Sequence, residues 1–135
     1  TVDQFAAGLG EIVAVIRGPQ ARRAREQRIW VLAQATLRPS LREALGLEQQ
    51  RLTDCLAELV REAQYRGWVR ADLDSEAVAV FLQALTLGKV IDDVSQHQVV
   101  AEAWSDLVAR VVSSVFLAPA DGASVIDLRS LSASR

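Results

Sequence analysis

His97 and Cys55 are the only histidine and cysteine in the 135 residues, so catalysis would have to begin with them. A nucleophilic thiol needs a base within reach and an electropositive setting that favours the thiolate. Cys55 instead falls on the apolar face of an expected helix, where a buried, inert thiol is the ordinary outcome. His97 stands at an expected helix start, where a solvated imidazole is the ordinary outcome. One histidine and one cysteine do not make a zinc set, and Asp92-Asp93 alone is a poor metal site. No glycine-rich phosphate loop is present. The chain reads as a non-enzyme that needs no cofactor.

Two other groups carry polar chemistry. Arg22, Arg23, Arg25 and Arg28 form a basic cluster, but Glu26 and Gln27 interrupt it and no aromatic residue stands near before Trp30. A solvated helix face is therefore expected rather than a nucleic-acid surface. Gln34, Thr36, Gln83 and Thr86 sit inside apolar helical stretches. A buried amide left unpaired costs about 1–3 kcal/mol. Such residues either pair with backbone or a partner chain, or face a cavity and hold the polar part of a ligand.

The elements that must position these residues are helical. Half the residues are hydrophobic and 24% are charged, a globular composition, and the net charge of −2 shows no basic excess. The lone cysteine suits a reducing compartment, so a cytoplasmic location is expected, and no apolar run reaches membrane-spanning length. The absence of methionine leads us to expect further sequence ahead of Thr1. Apolar spacing predicts helices over 2–16, 19–37, 41–66, 75–92 and 96–117. Ile29 to Ala33 is apolar all round, which predicts enclosure. Ser40 with Glu43 and Ser95 with Gln98 match capping boxes. Gly46 lowers helix stability by roughly 1 kcal/mol. Gly67 is placed for a left-handed cap with Trp68 or Val69 packing back, and Asp74 for an N-cap. Leu41, Leu45, Leu52, Cys55, Leu56, Leu59, Val60 and Ala63 are expected to share a face. The expected fold class is all-α, about five main helices in an orthogonal bundle. Residues 1–117 form the domain and 118–135 a mostly irregular tail.

The run from Ala63 to Ala77, AQYRGWVRADLDSEA, resembles the junction between two helices in TetR-family C-terminal domains. Trp30 to Leu45, WVLAQATLRPSLREAL, is similar to a run in the BetI-like branch of that family. The resemblance spans about residues 29–94. Ser75 stands where proline is usual, and Gln34-Ala35-Thr36 where an acidic residue and alanine are usual. The family's helix-turn-helix has no counterpart here. The resemblance implies the effector-binding and dimerisation half of a transcriptional repressor, released by a small, largely apolar ligand. DNA would be bound only through a helix-turn-helix missing from this sequence.

On that reading a ligand cavity is lined by Phe5, Leu9, Ile12, Trp30, Gln34, Leu37, Leu56 and Leu59. The last two helices would pair with their symmetry mates as a four-helix homodimer interface. One stripe carries Val80, Ala84, Leu87, Gly88 and Ile91; the other carries Trp104, Leu107, Val108, Val111 and Val115. Gly88 would let the backbones approach closely. A solid helical dimerisation module without a pocket is the alternative, and a cavity lined by Trp30 or Gln34 distinguishes the two.

Overall fold

A computed structural model describes residues 7 and 18–118. The chain is all-α. Four helices of fourteen residues or more and one single turn are described: α1 (Pro19–Leu37), α2 (Pro39–Tyr65), α3 (Ser75–Gly88), α4 (Val90–Asp93, the single turn) and α5 (Ala101–Val115). Apart from Ala7, the expected helix over 2–16 lies outside the described residues, as does the tail beyond Ala118, so the count of about five main helices is slightly high for this part. The one β feature there is an isolated antiparallel bridge between Val69 and Leu117.

Local chemistry sets most boundaries. Proline opens both α1 and α2, where its fixed φ suits a first helical turn and its missing N–H costs nothing. Arg38 between them is extended (φ −130°, ψ 103°), as the residue before a proline prefers. α2 therefore starts at Pro39, with Arg38 as its cap, and the Ser40–Glu43 capping box does not form. α2 runs unbroken through Gly46. It ends at Tyr65 with Arg66 as its cap, and Gly67 just beyond takes a φ of 72°, which favours glycine. The Gly67 N–H donates to the Gln64 carbonyl (2.9 Å) and the Trp68 N–H to that of Ala63 (2.9 Å), a Schellman ending. Asp74 caps α3 by accepting from the Ala77 N–H at 2.7 Å.

The second half departs from expectation. α3 stops at Gly88, and α5 begins at Ala101 rather than Gln96. The Ser95–Gln98 capping box does not form. Ser95 Oγ donates to the Ile91 carbonyl (2.8 Å), Gln98 Nε2 to the Asp93 carbonyl (3.2 Å), and Asp92 Oδ1 accepts from the Val99 N–H (2.8 Å). The acidic turn thus gathers the chain that follows it and delays the helix.

α2 and α3 run antiparallel, in a register fixed by Gln83 Nε2 donating to Thr53 Oγ1 (3.1 Å) and Arg61 Nη1 to Ser75 Oγ (3.0 Å). Ala57 and Ala79 stand midway between those bonds, and both are fully buried. Beyond them lies the core of Val60, Ala63, Val69, Val78, Val108, Val112 and Phe116, with Trp68, Leu73, Leu82, Leu85 and Trp104 packed against it. Phe81 meets Phe116 edge-on at 5.5 Å. The Arg70 N–H donates to the Phe116 carbonyl, and that of Ala118 to Trp68, fastening the end of α5 to the 68–70 loop.

Three expectations about helix faces need correction. α2 buries Thr53, Ala57, Val60 and Ala63, while Cys55, Leu52 and Leu59 are exposed. The contact line lies one position over, because a close helix pair selects small side chains rather than the largest apolar ones. In α1 the buried residues are Arg25 and Ala35, and Trp30 is 64% exposed, so the apolar stretch is not enclosed by the other described helices. Val108, assigned from sequence to the partner-facing stripe, is only 5% exposed within the single chain and belongs to its core.

Candidate functional site

The residues assigned to a ligand cavity are not gathered in one place among the described residues. Phe5, Leu9 and Ile12 lie outside them. Trp30, Gln34 and Leu37 recur at helical spacing on one side of α1, with Trp30 and Leu37 exposed and Gln34 half-buried. Leu56 is half-buried and Leu59 exposed on α2. Arg28 of α1 meets Gln49 of α2, and Leu59 lies about 15 Å further along α2 at the helical rise.

The basic cluster is where the structure shows the most organisation. Arg22, Arg25 and Arg28, three residues apart, bond inward as a ladder. Arg22 Nη2 donates to the Asp93 main-chain carbonyl at 2.7 Å. Arg25 is 5% exposed and donates from Nε (2.8 Å) and Nη2 (2.6 Å) to Asp93 Oδ2; Asp93 is 6% exposed. Arg28 Nη2 donates to Gln49 Oε1 (2.7 Å) and Gln83 Oε1 (3.1 Å). The solvated face expected here is thus corrected for Arg25 and Arg28. Their i, i+3, i+6 spacing was visible in the sequence, but the acceptors are on distant segments.

Lys89 completes the charge balance. It pairs with Asp92 and reaches Asp93 Oδ1 at 3.7 Å, with its ammonium 5.8 Å from the Trp104 ring centroid. The Lys89 hydrogen bond, followed by the Val99 N–H, holds the Asp92 carboxyl below the usual carboxylate range. These groups wall a cleft of about 280 Å³ with Pro19, Gln98, Val99 and Ala101. Its paired charges suit holding elements together or recognising polar groups. Among the described residues no cluster of three or more His, Cys, Asp or Glu is placed to hold a metal.

Gln83 is a second buried polar centre. Its carbonyl accepts from Arg28 and Gln49, and its amide donates to Thr53 Oγ1 and the Ala79 carbonyl. This buried amide is paired within the chain. Thr86 and Thr36 donate to the Leu82 and Ala33 carbonyls. His97 is exposed.

The residues assigned to a partner interface fall into two groups. Val80, Ala84, Gly88 and Ile91 are exposed along α3 and its continuation, with Leu87 half-buried. On α5, Leu107 (56%) and Val115 are exposed, Val111 and Trp104 half-buried, and Val108 buried. A Cβ at Gly88 would meet nothing within 4 Å in the single chain. Large apolar side chains open along both helices are what a partner would cover. No helix among the described residues is long and apolar enough to cross a membrane.

Comparison with known families finds that the one described as BetI-type transcriptional repressor, C-terminal, matches residues 9–117. Neither the curated proteins nor the solved structures give a match. The matched span covers α1 to α5, including the Gly67–Asp74 junction and the two helices with open apolar stripes. The chain belongs to the BetI-type transcriptional repressor C-terminal family.

Proposed function

We propose that this chain is the effector-binding and homodimerising domain of a TetR-type transcriptional repressor. The observation that carries the reading is the pair of apolar stripes left open on α3 and α5, in a chain of this family. An isologous contact buries such stripes by pairing the same helices of two copies about a two-fold axis. The effector is a small, largely apolar molecule seated against the Trp30–Gln34–Leu37 side of α1. That side offers two large apolar groups with one amide between them. Binding acts on DNA only through differential affinity for two arrangements of the dimer. The arginine ladder faces Asp93 and Gln83, which supports assigning DNA contact to another part of the regulator.

A solid dimerisation module is the second reading. It is favoured by one observation: the polar cleft is lined by neither Trp30 nor Gln34.

Leu107→Arg tests the dimer. It changes an exposed side chain, so the helical circular dichroism and urea midpoint of the monomer are expected to hold. Self-association, measured by sedimentation, is expected to weaken at least about thirtyfold, as losing an interface anchor does. Glu58→Gln, an exposed α2 residue outside both stripes, is the control. Unchanged association in Leu107→Arg would remove α5 from the interface.

A further inference from the structure

The corner between α1 and α2 is held differently from the rest of the bundle. No residue from 36 to 52 is buried. The buried positions of α2 are Thr53, Ala57, Val60 and Ala63, all in its second half. Among the described residues, no side chain from 37 to 47 takes part in a hydrogen bond or an ion pair. The first polar tie from α2 to another helix is Gln49, which accepts from Arg28 at 2.7 Å. Leu41 and Leu45, one helical turn apart, are half-buried, while Leu37 (77%) and Leu47 (62%) are exposed.

Gly46 stands inside this corner. α2 continues through it without a positive φ, and a Cβ there would meet nothing within 4 Å. Neither a turn nor a close approach calls for glycine, so its effect is to weaken the helix at that point. At the other end Arg38 is extended and breaks the run between α1 and α2. Residues 39–45 are thus two turns of helix between two weak points.

We propose that residues 39–45 are a hinged flap, which opens about Arg38 and Gly46 while the rest of α2 stays folded. The physical basis is the distribution of contacts. Local opening is easy where few apolar groups are buried and the backbone hydrogen bonds face water. From Thr53 onward, opening α2 means parting it from α3 and from the apolar core. Across the flap it means freeing two half-buried leucines and the helix bonds that span Gly46. The flap borders the Leu37 end of the α1 side assigned to the effector. That neighbourhood rests on the effector reading, whereas the hinge does not.

Amide hydrogen exchange followed by NMR on the full 135-residue chain, with no ligand added, tests this. In the unaltered chain, amides 43–49 are expected to exchange at least about a hundredfold faster than those of 57–63. Low urea is expected to speed 57–63 and leave 43–49 nearly unchanged, because opening the flap exposes little surface. Gly46→Ala, whose added Cβ meets no neighbour, is expected to slow 43–49 about threefold to fivefold. Amides 43–49 that share the rate and the urea dependence of 57–63 overturn the proposal. So does a 43–49 rate unchanged in Gly46→Ala, which would place the opening away from Gly46. Either failure leaves the effector reading standing, since no ligand enters the measurement.

Discussion

Val108→Glu is expected to cost the chain its fold rather than its partner. Val108 is buried beside Val112 and Phe116, in the cluster that joins α5 to α2 and α3. The substitution removes about 1.5–3 kcal/mol of side-chain burial. It also places a carboxyl where the described neighbours are apolar. Even protonated, such a group without a hydrogen-bond partner costs about 1–3 kcal/mol. The sum, roughly 2.5–6 kcal/mol, takes up much of the stability of a small domain at the lower end of the usual range of about 5–15 kcal/mol. A urea titration followed by circular dichroism is expected to show the midpoint falling close to zero denaturant. Leu107→Arg, one residue away on the exposed side, is expected to keep a near-normal midpoint. A Val108→Glu chain that unfolds normally and only fails to associate would place Val108 on the partner side after all.

Ala57→Leu and Ala79→Leu are expected to destabilise by about 1–3 kcal/mol each, the usual cost of overpacking a close contact. The case rests on register. Each alanine lies four residues from both the Thr53–Gln83 and Arg61–Ser75 bonds, and neither has any exposed surface. A leucine at either site must push α2 and α3 apart or leave its rotamer well. Separation would stretch the Thr53–Gln83 bond and disturb the Arg28–Gln49–Gln83 cluster beyond it. The two changes act on one gap, so the double variant is expected to lose less than the sum of the singles. Strict additivity in the urea midpoints would show that they do not share a contact.

What the sequence showed was what is decided locally. The Gly67 ending of α2 and the Asp74 cap of α3 rest on residues within a few positions of one another, and both form as the spacing predicts. Ser40–Glu43 and Ser95–Gln98 match the same kind of pattern but fail for identifiable reasons. Pro39 already opens α2, and Asp92 and Asp93 capture the chain ahead of α5.

Helix faces were less legible because a face is defined by its partner. The wide apolar sector of α2 admits several contact lines. The pairing with α3 selects the one through Thr53 and Ala57, which leaves Cys55 and Leu59 outside. On α5 the spacing marks a stripe of apolar positions. It could not show that Val108 turns inward while Leu107 stays out. The arginine ladder was hidden for a related reason. Arginines interrupted by glutamate read as a solvated face until Asp93, 68 positions away from Arg25, is brought against them.

If a two-fold partner covers the open stripes of α3 and α5, the chain associates with itself in solution. Sedimentation equilibrium of the unaltered chain, over concentrations from about 1 to 100 μM, spanning ordinary dimer affinities, tests it most directly. A mass of twice the 14.7 kDa chain is expected at the upper end, falling toward one chain only on dilution. A single-chain mass at every concentration, with the helical signal intact, would contradict it.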